Sequence, residues 1–270
     1  MPTRAPLRWA GGKQRHAKVL VPYLLAAQAS RARYFEPFLG GGSVFFGLHP
    51  KRSVLSDLNS DLILFYETLR DYPVRLRRMA ARLDTAGTAA AYNAARDEFN
   101  SGARGIRRAA LFLFLNRTGF NGIWRVNRAG VYTVPFGFRR LSLLPEPEWL
   151  AWSYSLKNAR LIAGDYRQAL RLARAGAIVY LDPPYLDTSG RELFSRYTFA
   201  GFSVDDHIAL RDEVHKLSNR NVNVLLTIRD DPTVRELYQD YKIDSTAVST
   251  PVGATGGHRW ASDLIIRNFA

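Results

Sequence analysis

The stretch Arg33–Ser43 (RYFEPFLGGGS) predicts a β-strand that runs into a glycine-rich turn, and an apolar segment typical of a short helix follows it. Glycines at such a turn allow the backbone to bend tightly and to approach a ligand. The stretch is not a complete dinucleotide-binding motif, and it lacks the Lys-Ser/Thr pair of a phosphate-binding P-loop. Taken alone, it is compatible with a ligand-binding turn and equally with a plain tight turn.

Strand and helix patterns alternate in both terminal parts of the chain. The strand patterns after Arg33–Phe38 lie at Ser53–Ser56, Ala159–Ile162, Ala177–Asp182, Asn221–Ile228 and Asp263–Phe269. The helix patterns between them include Val204–Leu217, for which Ser203 is a suitable N-cap. Strands that alternate with helices are typical of an α/β protein with a mostly parallel sheet.

The middle of the chain has a different pattern. Predicted helices cover Leu62–Leu83, Thr88–Asn100 and Gly105–Leu115, and Ile123–Pro135 alternates around a glycine as a β-hairpin does. Residues 61–145 contain 14 arginines, no lysine and 6 acidic residues, a net charge of +8. We therefore predict that residues 1–60 and 146–270 form one α/β domain, and that residues 61–145 form an inserted, mainly helical domain.

The composition favours a globular protein with a polyanionic partner. Of the 270 residues 47% are apolar, and the net charge is +14, which is typical of proteins that bind nucleic acid. The alternative is a solvated surface in a chain that uses arginine rather than lysine throughout, 32 against 6.

The residue types also exclude several classes of protein. The chain has no cysteine, and its five histidines are scattered, so we expect no disulfide and no metal site. No apolar run reaches the roughly 18 residues of a membrane span, and the first residues lack the apolar centre of a signal peptide. We therefore expect a cytoplasmic, DNA-associated protein with no membrane partner.

Two acids follow predicted strands near the glycine turn. Asp57 lies 17 residues after Gly40, where an acid can accept hydrogen bonds from both hydroxyls of a ribose. Asp165 can accept from an adenine amino group, or it can be the N-cap of a helix. The glycine turn contains no arginine or lysine that would bind a diphosphate. A nucleoside cofactor without phosphates therefore fits best, and S-adenosylmethionine is such a cofactor.

The segment Leu181–Ser189 (LDPPYLDTS) ends a predicted strand in an acid, two prolines and a tyrosine. Prolines cannot donate to a sheet ladder, so the strand stops and the backbone leaves it in a stiff conformation. One interpretation is a turn that only ends the strand. The other is a site in which Asp182 and the Pro183 carbonyl accept both hydrogens of an amine, while Tyr185 stacks on a flat base.

Five motifs in this order resemble those of the Dam-type DNA adenine-N6 methyltransferases, along nearly the whole chain. Arg8–Lys13 (RWAGGK) resembles their cofactor motif, Glu36–Ser43 (EPFLGGGS) their glycine motif and Ser56–Asp61 (SDLNSD) their ribose motif. Asn116–Gly137 (NRTGFNGIWRVNRAGVYTVPFG) resembles their target-reading hairpin, and Asp182–Tyr185 (DPPY) is similar to their catalytic tetrad.

The resemblance implies a class I S-adenosylmethionine-dependent methyltransferase fold, which is Rossmann-like with a mostly parallel seven-stranded sheet. The inserted domain would then be a DNA-recognition domain that carries a β-hairpin. The implied activity is transfer of a methyl group to N6 of an adenine that is flipped out of double-stranded DNA. The implied target is GATC, and a different short target sequence is the alternative. We expect a monomer in solution that uses S-adenosylmethionine and no metal.

The resemblance also assigns residues to roles. The implied catalytic residues are Asp182, Pro183 and Tyr185. The implied cofactor-binding residues are Trp9, Lys13, Glu36, Phe38, Gly40, Asp57, Asp165 and Asp182. The implied DNA-binding residues are Arg8, Arg117, Asn121, Ile123, Arg125, Asn127, Pro135 and Arg139. Among these, Arg125 aligns with the arginine that reads guanine, and Ile123 takes the place of an intercalating leucine.

Two positions depart from the family pattern. Many relatives have a tyrosine shortly after the hairpin where this chain has Arg139, which puts the target sequence in doubt. Their Ser-Asn after a late strand is Thr227-Ile228 here, and we expect this change to affect only the wall of the pocket.

Other classes of protein fit the sequence less well. A DNA-binding protein with a degenerate enzyme fold would have a damaged DPPY tetrad or glycine turn, and both are intact. A nicotinamide-dependent oxidoreductase would leave the arginine-rich segment and the tetrad unexplained. RNA or a protein glutamine are further substrates of related methyltransferases, and the hairpin favours duplex DNA over both.

Overall fold

The computed structural model describes residues 4–9, 17–27, 32–83, 87–185, 202–252 and 257–270, except for the side chains of 247–252 and 257–261. The strands are β1 (Tyr34–Glu36), β2 (Ser53–Asp57), β3 (Ala159–Ala163), β4 (Ile178–Leu181), β5 (Asn223–Arg229), β6 (Lys242–Val252) and β7 (Gly257–Arg267). The helices are α1 (Ala17–Ala26), α2 (Ser43–Leu48), α3 (Ser60–Asp71), α4 (Pro73–Ala81), α5 (Ala89–Asn100), α6 (Gly105–Thr118), α7 (Glu146–Leu156), α8 (Tyr166–Leu170), α9 (Val204–Ser218) and α10 (Pro232–Leu237).

The strands form one seven-stranded sheet in the order β3-β2-β1-β4-β5-β7-β6. Strands β1 to β5 pair in parallel, whereas β7 is antiparallel to both of its neighbours. The strand order changes direction between β1 and β4, and open α/β sheets bind their ligands at the carboxyl ends of such a pair. This arrangement confirms the predicted fold class. It also places the glycine turn after β1 beside the DPPY tetrad after β4.

Both faces of the sheet are buried. Tyr34 and Ile178 belong to the core on one face, and their chain neighbours Phe35 and Val179 belong to the core on the other face. All four side chains are fully buried. Parallel sheets covered by helices on both sides have this pattern of continuous apolar strands.

The core on one face of the sheet continues into the helices between β2 and β3. Phe65 of α3 and Phe112 of α6 pack with their ring centroids 5.9 Å apart, in the same buried cluster as Tyr34. Helix α6 is buried from Ala109 to Asn116, because this segment is apolar on almost every side. The core therefore crosses residue 60, and the division into separate domains at residues 61 and 145 stays a prediction.

One predicted helix is wrong and one strand was not predicted. The predicted helix Leu62–Leu83 is broken into α3 and α4 at Pro73, because the residue before a proline is disfavoured in helical conformation and proline suits the first turn of a new helix. Strand β6 was not predicted, since its segment KIDSTAVSTPV is largely polar. The N-caps Thr88 and Ser203 are confirmed, and Ser203 forms a capping box with Asp206.

Candidate active site

The glycine turn after β1 is held by hydrogen bonds on both sides of one residue. The Gly40 N–H donates to Oδ2 of Asp57 at 2.9 Å, and the Tyr66 hydroxyl donates to the Gly40 carbonyl at 3.1 Å. Gly40 has a φ of 47°, a left-handed conformation that glycine adopts at no steric cost. The sequence motif and its acid thus lie together, as predicted.

Trp9 packs directly onto this turn. A Cβ atom at Gly40 would lie 2.8 Å from Cδ1 of Trp9, and one at Gly41 would lie 3.0 Å from Cβ of Trp9. Glycine is required at Gly40 because no other residue leaves room for the indole ring. The predicted cofactor residue Trp9 is therefore at the site, whereas Lys13 lies outside the described residues.

Asp57 uses both carboxylate oxygens for backbone donors. Its Oδ1 accepts from the Asn59 N–H at 2.9 Å, and its Oδ2 accepts from Gly40. Burial raises the pKa of Asp57, and the hydrogen bonds from Asn59, Gly40 and Leu58 oppose that rise. Each carboxylate oxygen can accept a second hydrogen bond, so the carboxylate retains capacity for donors of a ligand.

Glu36 is a buried acid at the end of β1. The Tyr34 hydroxyl donates to its Oε2 at 2.8 Å, and the side chain is 2% exposed. Burial raises the pKa of Glu36 to about 8, and the negative charge of Asp182 adds to the rise while the bond from Tyr34 opposes it. Glu36 therefore holds a proton at neutral pH, close to the first residue of the tetrad.

Asp182 is held by a chain of hydroxyl groups from β4 and β5. The Thr227 hydroxyl donates to Oδ1 of Asp182 at 3.0 Å, and Oγ1 of Thr227 lies 2.9 Å from the Tyr180 hydroxyl. Because Thr227 has one hydroxyl proton, Tyr180 is the donor in the second bond. The expectation that position 227 affects only the pocket wall is wrong, since Thr227 binds the predicted catalytic acid directly.

Tyr185, the last residue of the tetrad, contacts side chains of β5 and β7. The Tyr185 hydroxyl donates to Oδ2 of Asp263 in β7 at 3.2 Å. The Arg229 guanidinium lies over the Tyr185 ring, with Cζ 4.8 Å from the ring centroid. Neither Asp263 nor Arg229 was predicted as a site residue, because strand pairing that brings residue 263 to residue 229 is not visible in local sequence.

Asp165 and Phe38 are each next to Tyr166, the first residue of α8: Asp165 precedes it in the chain and Phe38 stacks on its ring. Asp165 is the N-cap of α8, where its Oδ1 accepts from the Arg167 N–H at 2.8 Å, so the N-cap interpretation is confirmed. The Phe38 ring stacks on Tyr166 with centroids 5.2 Å apart. A contact of either residue with a cofactor stays a prediction.

The predicted hairpin is present. Val126 pairs with Tyr132 in an antiparallel bridge, and the Thr133 N–H donates to the Arg125 carbonyl at 3.2 Å. Oδ1 of Asn127 accepts from the Ala129 and Val131 N–H groups, each at 3.0 Å, so this side chain closes the turn.

The two faces of the hairpin differ in how deeply their side chains are buried. Trp124 and, on the opposite strand of the hairpin, Tyr132 are buried. Arg125 is half-buried and, as the chain neighbour of Trp124, belongs to the other face. Ile123 is half-buried against the core, and Asn121 and Pro135 are exposed.

Three predicted DNA-binding arginines lie close together beside the hairpin. Burial and the charge of Arg139 lower the pKa of Arg8, and burial and the charge of Arg8 lower the pKa of Arg117. Within the described part of the chain, none of the three forms an ion pair with an acid. Mutual repulsion of this kind is relieved by an anion, and phosphate groups suit clustered arginines.

The buried side chain of Asn116 holds the backbone of Arg8, the residue before Trp9. Its Oδ1 accepts from the Arg8 N–H at 3.0 Å and its Nδ2 donates to the Arg8 carbonyl at 2.6 Å. Arg8 and Trp9 are adjacent in the chain, so one short segment contacts both the hairpin loop and the glycine turn.

Phe138 is an exposed aromatic residue that sequence reasoning missed. It is 88% exposed and has a φ of 54°, which is a rare conformation for a bulky residue. It lies between Gly137, where a Cβ would be 2.7 Å from the Gly119 carbonyl, and Arg139. The sequence signal was a phenylalanine next to two arginines just after the hairpin.

The described residues contain no group of three or more histidine, cysteine, aspartate or glutamate side chains that could hold a metal ion. No helix within them is long and apolar enough to cross a membrane.

Comparisons with known sequences identify the family of this chain. Residues 9–249 match the family of D12 class N6 adenine-specific DNA methyltransferases, and this chain belongs to that family. Type II methyltransferase M1.LlaDCHI of Lactococcus lactis subsp. cremoris is 32% identical over 97% of this chain and 94% of its own length. DNA adenine methylase of Vibrio cholerae serotype O1 is 32% identical over 98% of this chain and 96% of its own length. DNA adenine methylase of Escherichia coli K12 is 33% identical, with 97% and 94% covered.

Proposed function

We propose that this chain transfers the methyl group of S-adenosylmethionine to N6 of an adenine within GATC in double-stranded DNA. The observation that carries the proposal is the meeting of two motifs at the point where the strand order changes direction. Strand β1, which ends at Glu36 in the glycine motif, pairs in parallel with β4, which runs directly into Asp182 of the tetrad. The charge of Asp182 accordingly raises the pKa of Glu36.

The residues around the glycine turn fit the cofactor. S-adenosylmethionine supplies a methyl group on a positively charged sulfonium when it is bound. Asp57 would accept hydrogen bonds from the ribose with the carboxylate capacity that its backbone donors leave available. Trp9, which packs on the glycine turn, would form one wall of the site. Asp165 would accept from the adenine amino group with Oδ2, which also accepts from the Arg167 side chain at 3.0 Å and has a second lone pair.

The tetrad would hold the amine that is methylated. Asp182 and the Pro183 carbonyl accept its two hydrogens, which points the nitrogen lone pair out of their plane and toward the methyl group. Thr227 fixes the carboxylate of Asp182, so that little reorganisation is needed during transfer. Tyr185 stacks on the adenine after the base leaves the duplex, which compensates part of the cost of unstacking.

Helices α3 to α6 and the hairpin that follows α6 would supply DNA recognition, as the predicted domain at residues 61–145. Arg8, Arg117 and Arg139 contact phosphates, and Arg125 pairs with guanine O6 and N7 in the major groove. Asn121, Ile123, Asn127 and Pro135 lie on the same segment and complete the surface that faces the target.

Expression in a host without DNA methylation, followed by sequencing of modified bases, tests the proposal. We expect N6-methyladenine in every GATC site and in no other sequence. Methylation of a different short sequence would reject the target alone, in agreement with the substitution at Arg139. An absence of N6-methyladenine would reject the activity.

A further inference from the structure

A buried acid outside the five sequence motifs contacts the tetrad. Asp263 in β7 is 1% exposed, and the antiparallel register places it directly opposite Arg229 in β5. Its Oδ2 accepts the hydroxyl of Tyr185 at 3.2 Å, and its Oδ1 lies 3.4 Å from Nε of Arg229. A carboxylate buried this deeply requires a compensating charge, and Arg229 supplies one.

Besides its contact with Asp263, Arg229 also contacts the ring of Tyr185. Its guanidinium carbon lies 4.8 Å from the centroid of the Tyr185 ring, within the range of a cation–π interaction. The tyrosine is therefore held at two points, its hydroxyl by Asp263 and one ring face by Arg229. A base that stacks on Tyr185 must use the opposite face.

Tyr185 needs such restraint because of its position in the chain. It follows Pro183 and Pro184 after the end of β4 and belongs to no strand or helix. Its ring packs, partly buried, against the core on one face of the sheet, and two side-chain torsions set the direction of its hydroxyl. The hydrogen bond from that hydroxyl to Asp263 adds a directional restraint at the far end of the ring.

We propose that Asp263 and Arg229 are positioning residues that fix the plane of the Tyr185 ring for the flipped adenine, an inference that rests on the proposed function. Neither residue needs to touch the adenine or the cofactor. Loss of the pair slows methyl transfer and leaves binding of DNA and of S-adenosylmethionine nearly unchanged, because phosphate contacts and the glycine turn lie elsewhere.

The variants Asp263→Ala, Asp263→Asn and Tyr185→Phe, and the double variant of Ala and Phe, test this role by steady-state kinetics on a GATC duplex. Asp263→Ala and Tyr185→Phe should each lower kcat about 10-fold, because the adenine that stacks on Tyr185 would be slightly misplaced. The KM values should change less than about twofold. The double variant should lose no more than the worse single one, since both remove the same bond. Asp263→Asn keeps a hydrogen-bonding partner for the hydroxyl and should recover most of kcat.

Asp244→Asn is the matched control. Asp244 forms an ion pair with Arg267 at 3.0 Å between β6 and β7, away from the tetrad, and its loss should leave kcat unchanged. If Asp263→Ala does not fold, Arg229→Met combined with Tyr185→Phe replaces it, and non-additive losses are again expected.

Multiplicative losses in the double variant, or equal losses in Asp263→Asn and Asp263→Ala, would overturn the positioning role and assign the acid to sheet stability. A wild-type protein without adenine methylation would overturn the proposed function itself, and the inference with it.

Discussion

The hydroxyl of Thr227 donates a hydrogen bond of 3.0 Å to Oδ1 of Asp182, and it in turn accepts from Tyr180. Tyr180 and Thr227 are buried on neighbouring strands, so the sheet itself orients the carboxylate. An acceptor that is already oriented costs no reorganisation when an amine arrives.

Thr227→Val should lower the rate of methyl transfer about 10-fold while the fold is kept, because valine has the shape of threonine without the donor. Thr227→Ser is the control, since serine keeps the hydroxyl, and it should stay within about threefold of wild type. Single-turnover methylation of a GATC duplex measures both, and a normal rate for Thr227→Val would remove Thr227 from the site.

Asp57→Ala should weaken binding of S-adenosylmethionine by about 1.5–3 kcal/mol, the range for hydrogen bonds to a charged group. Asp57→Asn keeps one acceptor and should lose less. Titration calorimetry measures the affinity directly. An unchanged affinity for Asp57→Ala would move the cofactor away from the glycine turn.

The stability of the protein should fall as the pH rises through the range set by Glu36. Folding raises the pKa of this acid from its ordinary value of 4.5 to about 8, so the folded protein binds its proton more tightly than the unfolded chain. The stabilisation is complete below about pH 4.5 and is lost as the pH approaches 8, by up to about 1.4 kcal/mol per pH unit.

Urea unfolding of wild type and Glu36→Gln at pH 5 and pH 8.5 isolates this effect. Glutamine cannot ionise, so the difference in the free energy of unfolding between the two proteins should change with pH. A constant difference would show that Glu36 does not titrate in this range.

Arg125→Ala should weaken recognition of GATC, measured as the free energy from methylation rates, by about 1–3 kcal/mol. The loss on altered sites should be much smaller, because a base contact distinguishes sequences. Methylation rates on GATC and its single-base variants measure this. Equal losses on all duplexes, with a shallower salt dependence, would instead assign Arg125 to a phosphate.

Local patterns predicted the parts of the site that depend on one segment. The glycine turn, Asp57 and the tetrad each lie at the carboxyl end of a strand, and the strand order then brings them together. The break of the predicted helix Leu62–Leu83 at Pro73 also follows from a local rule, because the residue before a proline is disfavoured in helical conformation.

Contacts between distant strands could not be predicted in this way. Arg229 and Asp263 meet only because β7 enters the sheet antiparallel beside β5, and nothing near either residue indicates that register. The contact of Thr227 with Asp182 depends in the same way on the pairing of β4 with β5. The exposure of Phe138 depends on how its turn packs, which local sequence does not determine.

Methyl transfer by Asp182→Ala tests the central claim most directly. Wild type and variant are compared on a GATC duplex, with DNA binding and thermal unfolding measured on the same preparations. We predict that wild type methylates adenine N6, and that the variant binds DNA and unfolds cooperatively but transfers no methyl group, because the amine has lost its main acceptor. Near-normal turnover by Asp182→Ala would contradict the account.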